Sequence, residues 1–113
     1  MLQIIPDKEL LWQQQIINIT PSGSSKRVIL QLRYIERNDL WYIFLYDGQT
    51  GNPICTFVPV IVSGDKMVNL LAPFEHKNIG YMFCVSTVDD PSTENPSKSN
   101  WDDFALYWGG VDE

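Results

Sequence analysis

The 113-residue chain is poor in the side chains that usually carry chemistry: it has one histidine, His76, and two cysteines, Cys55 and Cys84. A metal centre draws on several such ligands, and His76 has no second histidine with which to share an ion. A His76–Cys84 dyad lacks a recognisable orienting third group. Asp89-Asp90 and Asp102-Asp103 are adjacent acids that point opposite ways in extended chain, and no alternating Asp-x-Asp-x-Asp-Gly loop surrounds them. Phosphate loops, Gly-x-Gly-x-x-Gly turns, Cys-x-x-Cys pairs and Gly-x-Ser-x-Gly elbows are all missing from the sequence. The expectation is a protein that is not an enzyme and uses no cofactor or metal.

Basic residues are also scarce. Eight Lys and Arg against fourteen Asp and Glu give a net charge of −6 and a pI near 4.5. A surface of that sign releases no counterions from a polyphosphate, which disfavours conventional DNA or RNA binding. It is compatible with the wall of a passage through which nucleic acid slides. No apolar run approaches the roughly 20 residues of a membrane span, and the start, Met1-Leu2-Gln3-Ile4-Ile5-Pro6-Asp7, lacks the basic and apolar regions of a signal peptide. A soluble protein made in a cytoplasm is expected. Asn18-Ile19-Thr20 matches a glycosylation acceptor, to which no role is assigned without a secretory signal. Cys55 and Cys84 stand far apart within apolar runs and read as buried free thiols, with a disulfide as the alternative.

Short β-rich runs fill the chain. Residues 26–37 alternate Val28, Leu30, Leu32 and Tyr34 with polar positions, the pattern of a half-buried strand. The Asn38-Asp39 turn leads to Leu40-Trp41-Tyr42-Ile43-Phe44-Leu45-Tyr46, apolar or aromatic on both faces, so the two segments form a hairpin. After the Gly- and Pro-containing turn 47–53 comes a third strand over 54–58. Pro59, which cannot donate to a ladder, marks a bend or a change of strand partner. Residues 66–71 are either one helical turn or a strand. Further strands are expected over 81–88 and 104–108, and residues 10–20 begin as an arm and finish as a strand.

The fold class is therefore mainly β: a small antiparallel β-sandwich or barrel of five to seven short strands, with a long acidic Pro/Ser-rich loop. Residues 1–113 form a single β domain, 1–15 an N-terminal arm, and 89–100 an exposed flexible loop. Four tryptophans, five tyrosines and five phenylalanines are the real surplus. Trp41 and Tyr42 are strand neighbours and face opposite sides of a sheet, so both faces call for burial. One face then meets another protein or another copy, or else the strand is the two-sided core of a closed sandwich. The interface candidates are Trp12, Trp41, Tyr42, Trp101 and Trp108. A third reading is a carbohydrate-binding β-sandwich module in which Trp41, Trp101 or Trp108 stacks on sugar rings.

The order of motifs resembles the small baseplate plug proteins of contractile-tailed bacteriophages (the cyanophage type). The resemblance rests on Leu32-Arg33-Tyr34, Leu40-Trp41-Tyr42, Tyr46-Asp47 with Gly51-Asn52-Pro53-Ile54, then Pro59, Gly64-Asp65 with Leu70-Leu71, Gly80, the acidic loop from Asp89, and Leu106-Tyr107. It covers residues 27–108. It implies a structural part of a virion, a plug near the hub of the tail baseplate that closes the lumen until contraction. The implied partners are the hub, the tube-initiating protein and copies of the chain itself about the tail axis, with passive contact to passing DNA, no specific nucleic acid binding and no membrane. Asp89, Asp90 and Glu94 become lumen-facing candidates. The long Pro/Ser-rich loop and the Trp12 arm depart from the family pattern.

Overall fold

The structure, a computed structural model, describes residues 1–7, 9–63, 66–88, 95–98 and 100–111. Seven strands form two antiparallel sheets: β1 (Leu2–Ile4), β7 (Phe104–Gly109) and β6 (Tyr81–Ser86) in one, and β2 (Trp12–Ile19), β3 (Lys26–Ile35), β4 (Leu40–Asp47) and β5 (Pro53–Pro59) in the other. Neither sheet closes into a barrel, so of the two expected architectures the sandwich is the one found.

The inner faces follow from the period-2 pattern. Val28, Leu30 and Leu32 on β3 and Trp41, Ile43 and Leu45 on β4 are fully buried against Ile4, Met82, Cys84, Leu106 and Trp108 of the opposing sheet. The expected 26–35/40–47 hairpin is present in register, with Arg33 opposite Tyr42 and Tyr34 opposite Trp41. Its turn places Asp39 at φ 50°, a left-handed conformation that a short polar side chain tolerates.

Pro59 marks a change of sheet. Val60 still donates to the Trp41 carbonyl (2.8 Å), but Val62 bridges in parallel to Cys84 and Ser63 donates to the Cys84 carbonyl (2.7 Å). Residues 66–71 resolve as neither helix nor strand; Asn69 caps them by accepting from the amides of Leu71 and Met82, and a 3-10 segment, Ala72–Lys77, follows. Gly80, at φ 77°, lets the chain enter β6 where a Cβ would stand 2.2 Å from the Gly109 carbonyl oxygen.

The expected N-terminal arm lies on the sandwich. Leu2–Ile4 pair with β7, and the chain then passes to β2 in the larger sheet. The amide group of Gln13 holds that crossing from the inner side, accepting from Asp7 N (2.7 Å) and donating to Asp7 O (2.8 Å), while Gln15 donates to Ile5 O (2.9 Å). The expected 89–100 loop falls partly outside the described residues, at 89–94 and 99. In its described part Pro96 is buried, Asn95 accepts from Val62 N (3.0 Å) and the Ser97 carbonyl accepts from Trp41 Nε1 (3.1 Å).

Cys55 and Cys84 are buried and unbridged. Burial pushes the Cys55 thiol up to about 11, outweighing the backbone hydrogen bond to Leu45 and the charge of Lys77. Such a thiol is almost wholly protonated at pH 8, so Cys55 in the native protein is expected to react with iodoacetamide roughly a hundredfold more slowly than in denaturant. Mass spectrometry of the alkylated chain checks this, and equal rates in the two states would contradict the burial.

The β4–β5 turn is held by one carboxylate. Asp47 accepts from the amides of Gln49 (2.8 Å) and Thr50 (3.2 Å), and these bonds, aided by Lys26 nearby, hold its pKa below the ordinary 3.8. A depressed carboxylate stabilises the folded state above its unfolded pKa, and the contribution disappears as pH falls through the folded value. Amide exchange at Gln49 and Thr50, corrected for the intrinsic rate, should therefore speed up below pH 3.8. Asp47→Asn should flatten that dependence.

Candidate functional site

The sequence-derived interface candidates separate into two groups. Trp41, Trp101 and Trp108 retain at most 3% of their accessible surface and lie in the core. Trp41 stacks on Trp101 (centroids 5.0 Å, 17°), and Trp108 Nε1 donates to the Ile79 carbonyl at 2.7 Å. These rings fill the space between the sheets, where only a large side chain spans the gap. They are therefore unavailable as surface anchors or as a sugar platform. Trp12 and Tyr42, by contrast, lie on the outer face of the four-stranded sheet, Trp12 with 54% of its surface exposed and Tyr42 partly so.

Cross-strand register assembles that outer face in rows. Trp12 lies opposite Arg33, and Arg33 opposite Tyr42; Gln14 lies opposite Gln31, and Gln31 opposite Phe44. The Arg33 guanidinium sits 4.1 Å from the Phe44 ring centroid and 6.0 Å from that of Trp12, an arrangement favourable to a cation on aromatic faces. Gln31 fixes the guanidinium by accepting from its Nε (3.2 Å) and its terminal nitrogen, and Gln31 in turn donates to Gln14 Oε1 (3.0 Å). Phe44 is thus buried from the solvent side of the sheet, under Arg33 and Phe57.

Phe57 is the unusual member. The register between β4 and β5 slips between Ile43 and Leu45, so Thr56 and Phe57 together oppose Phe44 as a β-bulge. Within it Phe57 adopts φ 54°, where a bulky residue is strained. Its ring nevertheless projects with 63% exposure, making edge contacts to Phe44 (4.8 Å) and Tyr42 (6.3 Å). A glycine or asparagine would fit this backbone at lower cost.

The smaller sheet carries a second aromatic face. Tyr81, Phe83 and Tyr107 form a ladder on its outer side, with Tyr81–Phe83 at 6.1 Å and 8° and Phe83–Tyr107 at 5.6 Å and 30°. Gly109 makes room for it, since a Cβ there would meet the Tyr81 ring at 2.3 Å. The ladder's neighbours Gln3, Val85 and Ala105 are uncharged.

Negative charge is segregated to the rim. Among the described residues every carboxylate except Asp47, the last residue of β4, lies in a loop or a 3-10 turn. The larger outer face holds Arg27 and Arg33 and no carboxylate. At the rim, Tyr34 hydrogen-bonds Asp39, and this bond is the main cause of a phenol pKa raised above 10.0. His76 is exposed in the 3-10 segment, whereas Cys84 is buried on the inner face of β6. Asp89, Asp90 and Glu94, the lumen-facing candidates, lie outside the described residues. No cluster of three or more His, Cys, Asp or Glu occurs among the described residues, and no helix among them is long and apolar enough to cross a membrane.

Arg33, Phe44, Phe57 and the Tyr81–Phe83–Tyr107 ladder were not among the site candidates read from the sequence. The flanking of Arg33 by aromatics was readable once strand register was known, but the left-handed φ of Phe57 leaves no trace in residue types.

Among the described residues, the sandwich has an aromatic, carboxylate-free surface on each side and its acids at the rim, the form of an assembly component packed among other proteins. The chain belongs to the cyanophage baseplate Pam3 plug gp18 family, whose family model matches residues 2–111. It is a structural component of a phage tail baseplate, located in the virion tail. A comparison with curated proteins gave no match.

Proposed function

We propose that the chain plugs the baseplate of a contractile tail by packing against the central hub and the tube-initiating protein, closing the lumen before contraction. The observation that carries this reading is the pair of outer faces. In a free-standing sandwich the solvent faces are normally polar, whereas here one presents Trp12, Arg33, Tyr42 and Phe57 and the other the Tyr81–Phe83–Tyr107 ladder. Aromatic and arginine side chains are the usual anchors of protein interfaces. Two such faces on opposite sides suit a part wedged between neighbours.

Several copies stand about the tail axis in this reading, with Asp89, Asp90 and Glu94 toward the lumen, where a repulsive wall keeps passing DNA from adhering. The role is mechanical, by shape and contact, without catalysis, cofactor or specific nucleic acid binding. The chain is made in the host cytoplasm and acts in the particle.

The test is quantitative mass spectrometry of intact particles purified on a density gradient. The chain should co-migrate at a small fixed ratio to the hub protein, and cross-links from residues near either sheet face should reach hub or tube proteins. Absence from particles, or cross-links confined to peripheral baseplate proteins, would sink the plug reading.

A further inference from the structure

We infer that the outer face of the four-stranded sheet receives an acidic segment of a different baseplate protein, with an aspartate or glutamate carboxylate seated on the Arg33 guanidinium between Trp12 and Phe57. The inference rests on the chain being a baseplate component and names what one of its faces binds. It does not depend on closure of the lumen.

The Arg33 head is fixed and only half used. Phe44 backs it at 4.1 Å, and Gln31 Oε1 accepts from both Nε and Nη2. Gln14 on the neighbouring strand holds Gln31 in place by accepting from its amide nitrogen (3.0 Å). A guanidinium carries five N–H groups in a planar fork. Gln31 fills the Nε–Nη2 edge, and the Nη1–Nη2 edge, whose parallel N–H groups match a carboxylate, has no partner among the described residues. Arg27, the other cation of this face, lays its stem over Gly48, where a Cβ would stand 2.5 Å from the Arg27 Cγ. Its head is exposed and also makes no ion pair with a described residue.

Two exposed rings flank Arg33. Strand order places Trp12 on β2 and Phe57 on β5, three strand spacings or about 14 Å apart, which leaves room for a single segment over β3 and β4. Phe57 holds its ring outward at φ 54°, where a smaller residue would be less strained, and strained residues of this kind concentrate at binding surfaces.

Charge selects the occupant. This face carries Arg27 and Arg33 and no carboxylate, in a chain of net charge −6. The two arginines stand six residues apart on β3, about 20 Å, with the row Ile16–Ile29–Tyr46 between them. An acidic segment with apolar side chains beside its carboxylates matches both the cations and that row. A polynucleotide spanning the same length would set several phosphates over the apolar row with no cation to meet them. A two-fold contact between copies would turn this face onto itself, arginines toward arginines with no acid between.

The test uses intact particles. In unsubstituted particles, phenylglyoxal should modify Arg33 at least about tenfold more slowly than in the isolated chain, as burial at an interface centre implies. Particles carrying Arg33→Lys are then treated with a water-soluble carbodiimide, which condenses an amine with a touching carboxylate. Mass spectrometry should find the new amine at position 33 joined to an aspartate or glutamate of another baseplate protein, and no such link in the parent. Arg33→Leu still covers Phe44 but has no donors; it should keep the parent's thermal midpoint while its incorporation falls roughly tenfold. Were Arg33 only a lid on Phe44, Arg33→Leu would be incorporated like the parent. Equal phenylglyoxal rates in the two states, a link to another copy of this chain, or retention of single-stranded DNA by the purified chain that Arg33→Leu abolishes would each overturn the inference. The chain is counted in the same digests, so its presence with an unprotected Arg33 sinks this inference alone, whereas its absence from particles sinks the plug reading as well.

Discussion

Trp41→Ala is expected to lower the unfolding free energy by about 3–5 kcal/mol, the cost of deleting a large ring from a core that cannot close around the gap. Trp41 is 1% exposed, stacks on Trp101, packs tilted against Tyr34 with centroids 5.6 Å apart and donates its Nε1 proton to the Ser97 carbonyl. Removal leaves a cavity between the sheets and takes one donor from the Ser97 carbonyl. Against a typical total of 5–15 kcal/mol, this is a large share. Denaturant unfolding should show a lower midpoint at unchanged slope. Trp41→Phe, which keeps a ring but loses the donor, should fall between the two. Any assembly defect of Trp41→Ala should follow its loss of folded protein, and a variant of native stability that fails to assemble would return Trp41 to the interface.

The converse behaviour is expected at Phe57. Phe57→Asn exchanges an exposed ring for a residue that tolerates φ 54°, so relief of backbone strain offsets the lost contact with Phe44, and stability should stay within about 1 kcal/mol of the parent. Incorporation into particles should nevertheless drop roughly thirtyfold when combined with Arg33→Glu, as removal of about 2 kcal/mol of anchor energy implies. The readout is the ratio of this chain to hub protein in purified particles, complemented with the variant, alongside circular dichroism of the isolated protein. Unchanged incorporation of a folded double variant would remove the four-stranded face from the contact surface.

These two sites show why the aromatic surplus was only half legible. Strand alternation correctly sent Trp41 and Tyr42 to opposite faces, because side chains along a strand alternate by simple geometry. It did not say which face was inner. That depended on the second sheet, whose Trp108, Met82 and Leu106 cover the Trp41 side. Trp101 and Trp108 looked equally suitable for a surface until β7 was placed at the centre of its sheet. Phe44, on the Tyr42 side, is nevertheless buried, under Arg33 and Phe57 on the solvent face.

Local pattern thus determined the β class, the hairpin over 26–47, the third strand and the break at Pro59, because each follows from alternation, turn residues or a missing amide within a few positions. The motif order also pointed to the baseplate plug family. Only the tertiary structure decided that Leu2–Ile4 join β7, that the chain changes sheets after Pro59, and that three tryptophans are core. Those outcomes depend on contacts between residues tens of positions apart, whose pairing is set by which apolar faces can cover one another, and no local window of sequence contains that information.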